Sequence, residues 1–193
     1  CFSFQAIKQL STGDGGALAC KNEDDYWRAR KLKWFGVDKA KKGTANPWYN
    51  DVEEIGYKYD LMEMNAAIGI SQMPHLQKLL DIANHNGNQY SKELSDVSGI
   101  EILNRSNKDH STFWAYTFKA ERRDELIQKL ESKGIGSMQI HPRNDKWSIF
   151  ETTTEGELPG VDEFHRSEIS IPSGWWVSDE DRAYIVNSIR EGW

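Results

Sequence analysis

The sequence predicts an α/β chain in two parts, and three observations carry that prediction. A short apolar strand end runs into a glycine-rich turn at the start, helical stripes occupy residues 60–94, and strands alternate with helices beyond Gly99. With 193 residues and 38% apolar side chains, the chain is long enough for one large domain or two small ones. The same composition excludes a disordered or membrane-embedded chain.

In chain order, Ser3-Phe4-Gln5-Ala6-Ile7-Lys8 reads as a strand end, and residues 16–20 as a short strand of small side chains. Asn22 caps a helix whose first turn is Glu23-Asp24-Asp25, and Gly36 ends it. Residues 37–55 carry Gly43, Pro47 and Asn50 among scattered aromatics and read as a long irregular loop, of the kind found at functional sites or interfaces. From Asp60 the stripe Leu61, Met64, Ala67, Ile68, Ile70 and Met73 makes a helix that Pro74 breaks or kinks.

A second helix carries Leu76, Leu79, Leu80, Ala83, Tyr90 and Leu94 on one side, with Asn84-His85-Asn86-Gly87-Asn88 weakening its middle and His85 solvated. Strands are expected over 100–103 and over 111–119, the latter with Trp114, Tyr116 and Phe118 on one face. A helix over 123–133 ends at Gly134, and a further strand covers 136–140. A loop rich in glycine and glutamate then leads to a strand over 169–172 and a final helix. Ser178 and Asp181 form a capping box for that helix, and Trp175 and Trp176 pack into the core.

A net charge of −6 with dispersed cations lacks the basic stripe that DNA or RNA binding needs, so no nucleic-acid partner is expected. No apolar run of spanning length is present, so no membrane partner is expected either. The two cysteines make no disulfide framework and no signal peptide precedes them, which points to the cytoplasm. No metal-ligand spacing links those cysteines to the five histidines. Because the chain opens on Cys1 and runs straight into an apolar strand, an N-terminal portion is expected to be missing.

One segment carries chemistry. Lys8, the only cation of the first twenty residues, lies between Phe2, Phe4, Ile7 and the turn Ser11-Thr12-Gly13-Asp14-Gly15-Gly16. Apolar neighbours favour an uncharged, nucleophilic amine. Glycines bring backbone N–H groups up to an anion, and the hydroxyls of Ser3, Ser11 and Thr12 suit phosphate oxygens. The residues alone favour a surface lysine before an ordinary glycine turn, since such turns are common and no Walker-type spacing is present.

This segment resembles the cofactor-lysine segment of the DegT/StrS-type sugar aminotransferases. Gly56-Tyr57-Lys58-Tyr59-Asp60-Leu61, with Asn65-Ala66-Ala67-Ile68-Gly69 and Gln72, is similar to a second signature of that family. Ile171-Pro172-Ser173-Gly174-Trp175-Trp176, Asp179-Glu180-Asp181-Arg182 and the closing Gly192-Trp193 look like its C-terminus. The resemblance covers nearly the whole chain, but only the family's C-terminal half. It leaves out the helix that grips the phosphate, the residue stacked on the pyridine ring and the carboxylate paired with the ring nitrogen.

The resemblance implies the C-terminal part of a fold-type-I transferase dependent on pyridoxal 5′-phosphate. Residues 1–73 would be an edge of the large three-layer α/β/α domain, 74–98 a connecting helix and 99–193 a small α+β domain. Lys8 would hold the cofactor as a Schiff base and move the proton in both half-reactions. Ser3, Gln5 and Lys58 would contact its phosphate, with Lys58 reaching the neighbouring subunit of a homodimer whose active sites are shared. His141 and Arg143, with Lys146 nearby, would face the sugar nucleotide.

The implied reaction moves an amine from an amino acid such as glutamate to a nucleotide-linked keto sugar, for cell-surface polysaccharide or related biosynthesis. The alternative is a truncated, non-catalytic fragment that serves only as a folding or dimerisation unit.

Overall fold

A computed structural model describes residues 1–38, 51–105, 111–150 and 156–193. Residues 39–50 of the expected irregular loop lie outside that set. The chain divides into two compact units, Cys1–Leu76 and Gln77–Trp193.

The first unit begins with two antiparallel strands, β1 (Phe2–Ser3) and β2 (Gly16–Ala17), paired Phe2 to Ala17 and Ser3 to Gly16. Helix α1 (Glu23–Leu32) starts where the sequence places it: Asn22 accepts the Asp25 N–H at 2.8 Å, and three acids occupy the first turn. It stops four residues before Gly36. Phe35, at φ 54°, donates its N–H to the Tyr57 carbonyl at 2.8 Å, while the Tyr57 and Tyr59 N–H groups bond Leu32 and Lys33. The backbone leaves the helix because residues 57–59 supply these partners.

Helix α2 (Glu63–Glu93) continues through Pro74, so of the expected break or kink the break does not occur. Proline removes one intrahelical N–H, but Pro74 and Ile70 both stand exposed, on a side of the helix where the lost bond is not buried.

The second unit holds a three-stranded antiparallel sheet in the order β3 (Ile100–Glu101), β4 (Tyr116–Ala120), β5 (Glu168–Ile171). Tyr116, Phe118 and Ala120 face inward with Ile169 and Ile171, and Trp114 is only half-buried. They meet Tyr90 of α2, Leu94 just beyond its end, Leu126 and Leu130 of α3 (Arg123–Ser132), and Ile185, Val186 and Ile189 of α5 (Asp179–Arg190) in one core.

The expected strands over 100–103 and 111–119 are shorter, Ile100–Glu101 and Tyr116–Ala120, and further details differ from the sequence reading. The strand expected over 136–140 is a single bridge, Met138 to Ser170, because the next N–H, that of Ile140, bonds the Glu168 side chain at 3.2 Å instead of a backbone carbonyl. Part of the expected loop is helix α4 (Pro159–Ser167), begun by proline in its first turn. Trp175 and Trp176 are more than half exposed rather than in the core. Buried Asn86 donates to the carbonyls of Ser173, Gly174 and Val177, and the Ser173 hydroxyl to that of Phe113, which turns Val177 inward and the indoles outward.

Candidate active site

Lys8 sits in a loop, residues 4–15, that β1 and β2 bring to a close. The Phe4 N–H donates to the Gly15 carbonyl at 2.9 Å, and the Thr12 N–H to the Phe4 carbonyl at 2.8 Å. Within it the Lys8 N–H bonds the Gln5 carbonyl at 2.9 Å, and the Lys8 side chain is half-buried. Gly16 is required by the hairpin itself: a Cβ there would stand 2.5 Å from the Phe2 carbonyl oxygen.

The loop rests on α2, and the two separated signatures of the sequence meet there. Asn65 Nδ2 donates to the Thr12 carbonyl at 2.6 Å, and Gln72 Oε1 accepts the Ser11 N–H at 3.2 Å. Thr12 is 3% exposed, with its methyl over Gly69. Its hydroxyl donates to the Asp14 carbonyl at 2.5 Å, and Ser11 Oγ accepts the Gly13 N–H at 3.1 Å. These two hydroxyls serve the loop's own backbone, whereas the sequence reading offers them to phosphate. Sequence spacing names Asn65 and Gln72 only as parts of a signature; their role as braces needs the tertiary contact.

The other expected residues are placed as follows. Ser3 is exposed on β1 and its hydroxyl accepts the Gln5 N–H at 3.4 Å, so these two share the mouth of the Lys8 loop. Lys58 forms an ion pair with Asp60, and its ammonium lies 4.2 Å from the centroid of the Trp34 ring. Both contacts engage the cation.

In the second unit His141 is exposed and Arg143 is buried. The Arg143 guanidinium bonds Asp145 through Nε at 2.8 Å and also pairs with Asp162. The Arg143 contact holds the Asp145 carboxyl below its ordinary range and raises the guanidinium further. These groups, with Lys146, Glu157 and Leu158, line a hollow of about 550 Å³. With its fork already engaged by two aspartates, Arg143 would have to exchange a partner to grip a diphosphate.

The sequence matches the profile of the DegT/DnrJ/EryC1/StrS aminotransferase family over residues 1–190. The chain belongs to that family. It is 27% identical to the UDP-4-amino-4,6-dideoxy-N-acetyl-beta-L-altrosamine transaminase of Campylobacter jejuni, over 97% of this chain and 50% of that protein. To the dTDP-4-dehydro-2,3,6-trideoxy-D-glucose 4-aminotransferase of Saccharopolyspora spinosa it is 29% identical, over 89% of this chain and 46% of that one. Its structure is similar to the sugar aminotransferase CalS13 from Micromonospora echinospora, with a TM-score of 0.92 and 34% identity over 99% of this chain and 51% of that one. The chain thus spans about half the length of the family relatives it matches.

The family depends on pyridoxal 5′-phosphate, and the residues of the Lys8 loop fit the attachment end of that group. A half-buried amine stands on a loop jointed by Gly13 and Gly15, both at positive φ, and an exposed hydroxyl, Ser3, ends the strand that leads into it. Among the described residues no helix is long and apolar enough to cross a membrane.

Proposed function

We propose that this chain carries the amine-transferring half of a nucleotide-sugar aminotransferase, with Lys8 as the residue that holds pyridoxal 5′-phosphate. When bound, that group supplies an electron-withdrawing ring that stabilises charge on a carbon losing its proton. Lys8 Nζ would move a proton once in each half-reaction, away from the α carbon of the amino-acid donor in the first and on to the sugar carbon in the second. Ser3 and Gln5 orient the phosphate at the mouth of the loop, and Lys58 reaches it in a homodimer by leaving Asp60. His141 and Arg143 face the sugar nucleotide, whose keto carbon receives the amine.

In this reading residues 1–73 belong to the edge of a larger α/β/α domain, 74–98 connect, 99–193 form the small domain, and the protein works in the cytoplasm. The observation that supports it most is the α2 signature seated against the lysine loop within a family match of 190 residues.

The test adds pyridoxal phosphate to the chain, reduces with borohydride and maps the adduct by peptide mass. The expected result is one dominant adduct on Lys8, absent from Lys8→Ala. Labelling scattered over surface lysines, equal in both proteins, would overturn the assignment.

A second reading, a non-catalytic folding or dimerisation unit, is favoured by one observation. Among the described residues of the first unit no apolar side chain is buried, while Ile55, Tyr59, Ile70 and Met64 are each at least 68% exposed. Under that reading the chain traps no adduct on Lys8.

A further inference from the structure

Asn65, Gly69 and Gln72 stand at i, i+4 and i+7 of α2, which is one stripe of the helix. All three meet the same short stretch, Ser11-Thr12, three to four residues beyond Lys8. Two contacts are hydrogen bonds, from Asn65 to the Thr12 carbonyl and from the Ser11 N–H to Gln72. The third is steric: a Cβ on Gly69 would lie 2.9 Å from Thr12 Cγ2, closer than packed carbons sit.

Thr12 is the single side chain other than hydrogen that is buried among the described residues of this unit, whereas Ile7, beside Lys8, is 55% exposed. Apolar burial therefore does not anchor the loop. Its height above α2 is set by the clearance at Gly69 and its direction by the two amide side chains.

We infer that Asn65, Gly69 and Gln72 are positioning residues for Lys8, acting through Thr12 and Ser11; the inference rests on the reading of Lys8 as the cofactor lysine. A loop held by two polar braces around a steric stop presents the amine in one place, and reactions that depend on near-attack geometry are sensitive to sub-ångström displacement. Glycine is the poorer helix former, so its presence in α2 opposes helix stability in favour of this contact.

The test exploits that opposition. Gly69→Ala favours the helix but pushes Thr12 away; adding Thr12→Ser removes the methyl and restores the room. Gln72→Met deletes the acceptor for the Ser11 N–H at similar size, and Gln72→Glu keeps an acceptor. In the 193-residue chain without cofactor, trace acetic anhydride labelling gives the reactivity of Lys8 relative to exposed Lys92, and hydrogen exchange reports the Ser11 amide.

Gly69→Ala and Gln72→Met should change the Lys8 to Lys92 ratio and the Ser11 exchange rate by about fivefold each, the equilibrium factor of one ordinary hydrogen bond. Gly69→Ala with Thr12→Ser, and Gln72→Glu, should return both to within about twofold of wild type on the same scale. Wild-type values in Gly69→Ala, or a change that Thr12→Ser does not reverse, overturn the inference. Because neither readout involves the cofactor, the expected pattern without a borohydride adduct would sink the reading of Lys8 and leave the brace standing. An adduct with unresponsive ratios would do the reverse.

Discussion

At the scale of single residues, the capping box of α5 shows how a local pattern becomes a stability term. The Asp181 N–H bonds Ser178 Oγ at 3.1 Å, and Asp181 accepts the Ser178 N–H at 3.1 Å and its hydroxyl at 2.7 Å. Those hydrogen bonds, the hydroxyl's first, hold the Asp181 carboxyl below its ordinary range. A carboxyl depressed in the folded state stabilises the fold above the unfolded value of about 3.9, and that contribution is lost as pH falls through the folded value. Ser178→Ala should cost about 1 kcal/mol in urea unfolding at pH 7. The cost should shrink as pH drops below about 4, where Asp181 is protonated in the unfolded chain. An unchanged cost at pH 3 would contradict the linkage.

At the scale of elements, α2 does two different jobs along its 31 residues. Its first turns brace the lysine loop. Further on, the run Asn84 to Asn88 reads in sequence as a weak point, yet Asn86 is 1% exposed and holds three carbonyls of the Ser173–Val177 turn while accepting from Arg182 at 3.1 Å. Polar residues inside a helix are costly only when nothing answers them. Asn86→Ala would leave those carbonyls and the guanidinium short of a partner, with an expected loss of about 2 kcal/mol in chemical denaturation. A loss no larger than that of an exposed control such as Asn88→Ala would show the turn to be held by other means.

At the scale of the whole molecule, the buried apolar side chains of the described residues all belong to the second unit, Gln77–Trp193. A unit with its own core unfolds cooperatively, and a unit without one opens at lower free energy. Residues 77–193 expressed alone should show a single cooperative transition. In the 193-residue chain, limited proteolysis should cut within 1–76 first, and faster by at least about tenfold, the factor for a 1.4 kcal/mol difference in opening. Equal cleavage rates in the two units would refute this division of stability.

What the residues alone determined is local. Caps at Asn22 and Ser178, the inward face of Tyr116 and Phe118, and the lysine beside its glycine turn all follow from interactions within a few residues or from a two-residue period, so they are written in adjacent positions. The two family signatures were legible too, as order along the chain. That Asn65, Gly69 and Gln72 touch Ser11 and Thr12, and that Trp175 and Trp176 face water, were decided by tertiary structure. Each depends on partners 50 to 90 residues away, whose hydrogen bonds and clearances no local spacing encodes.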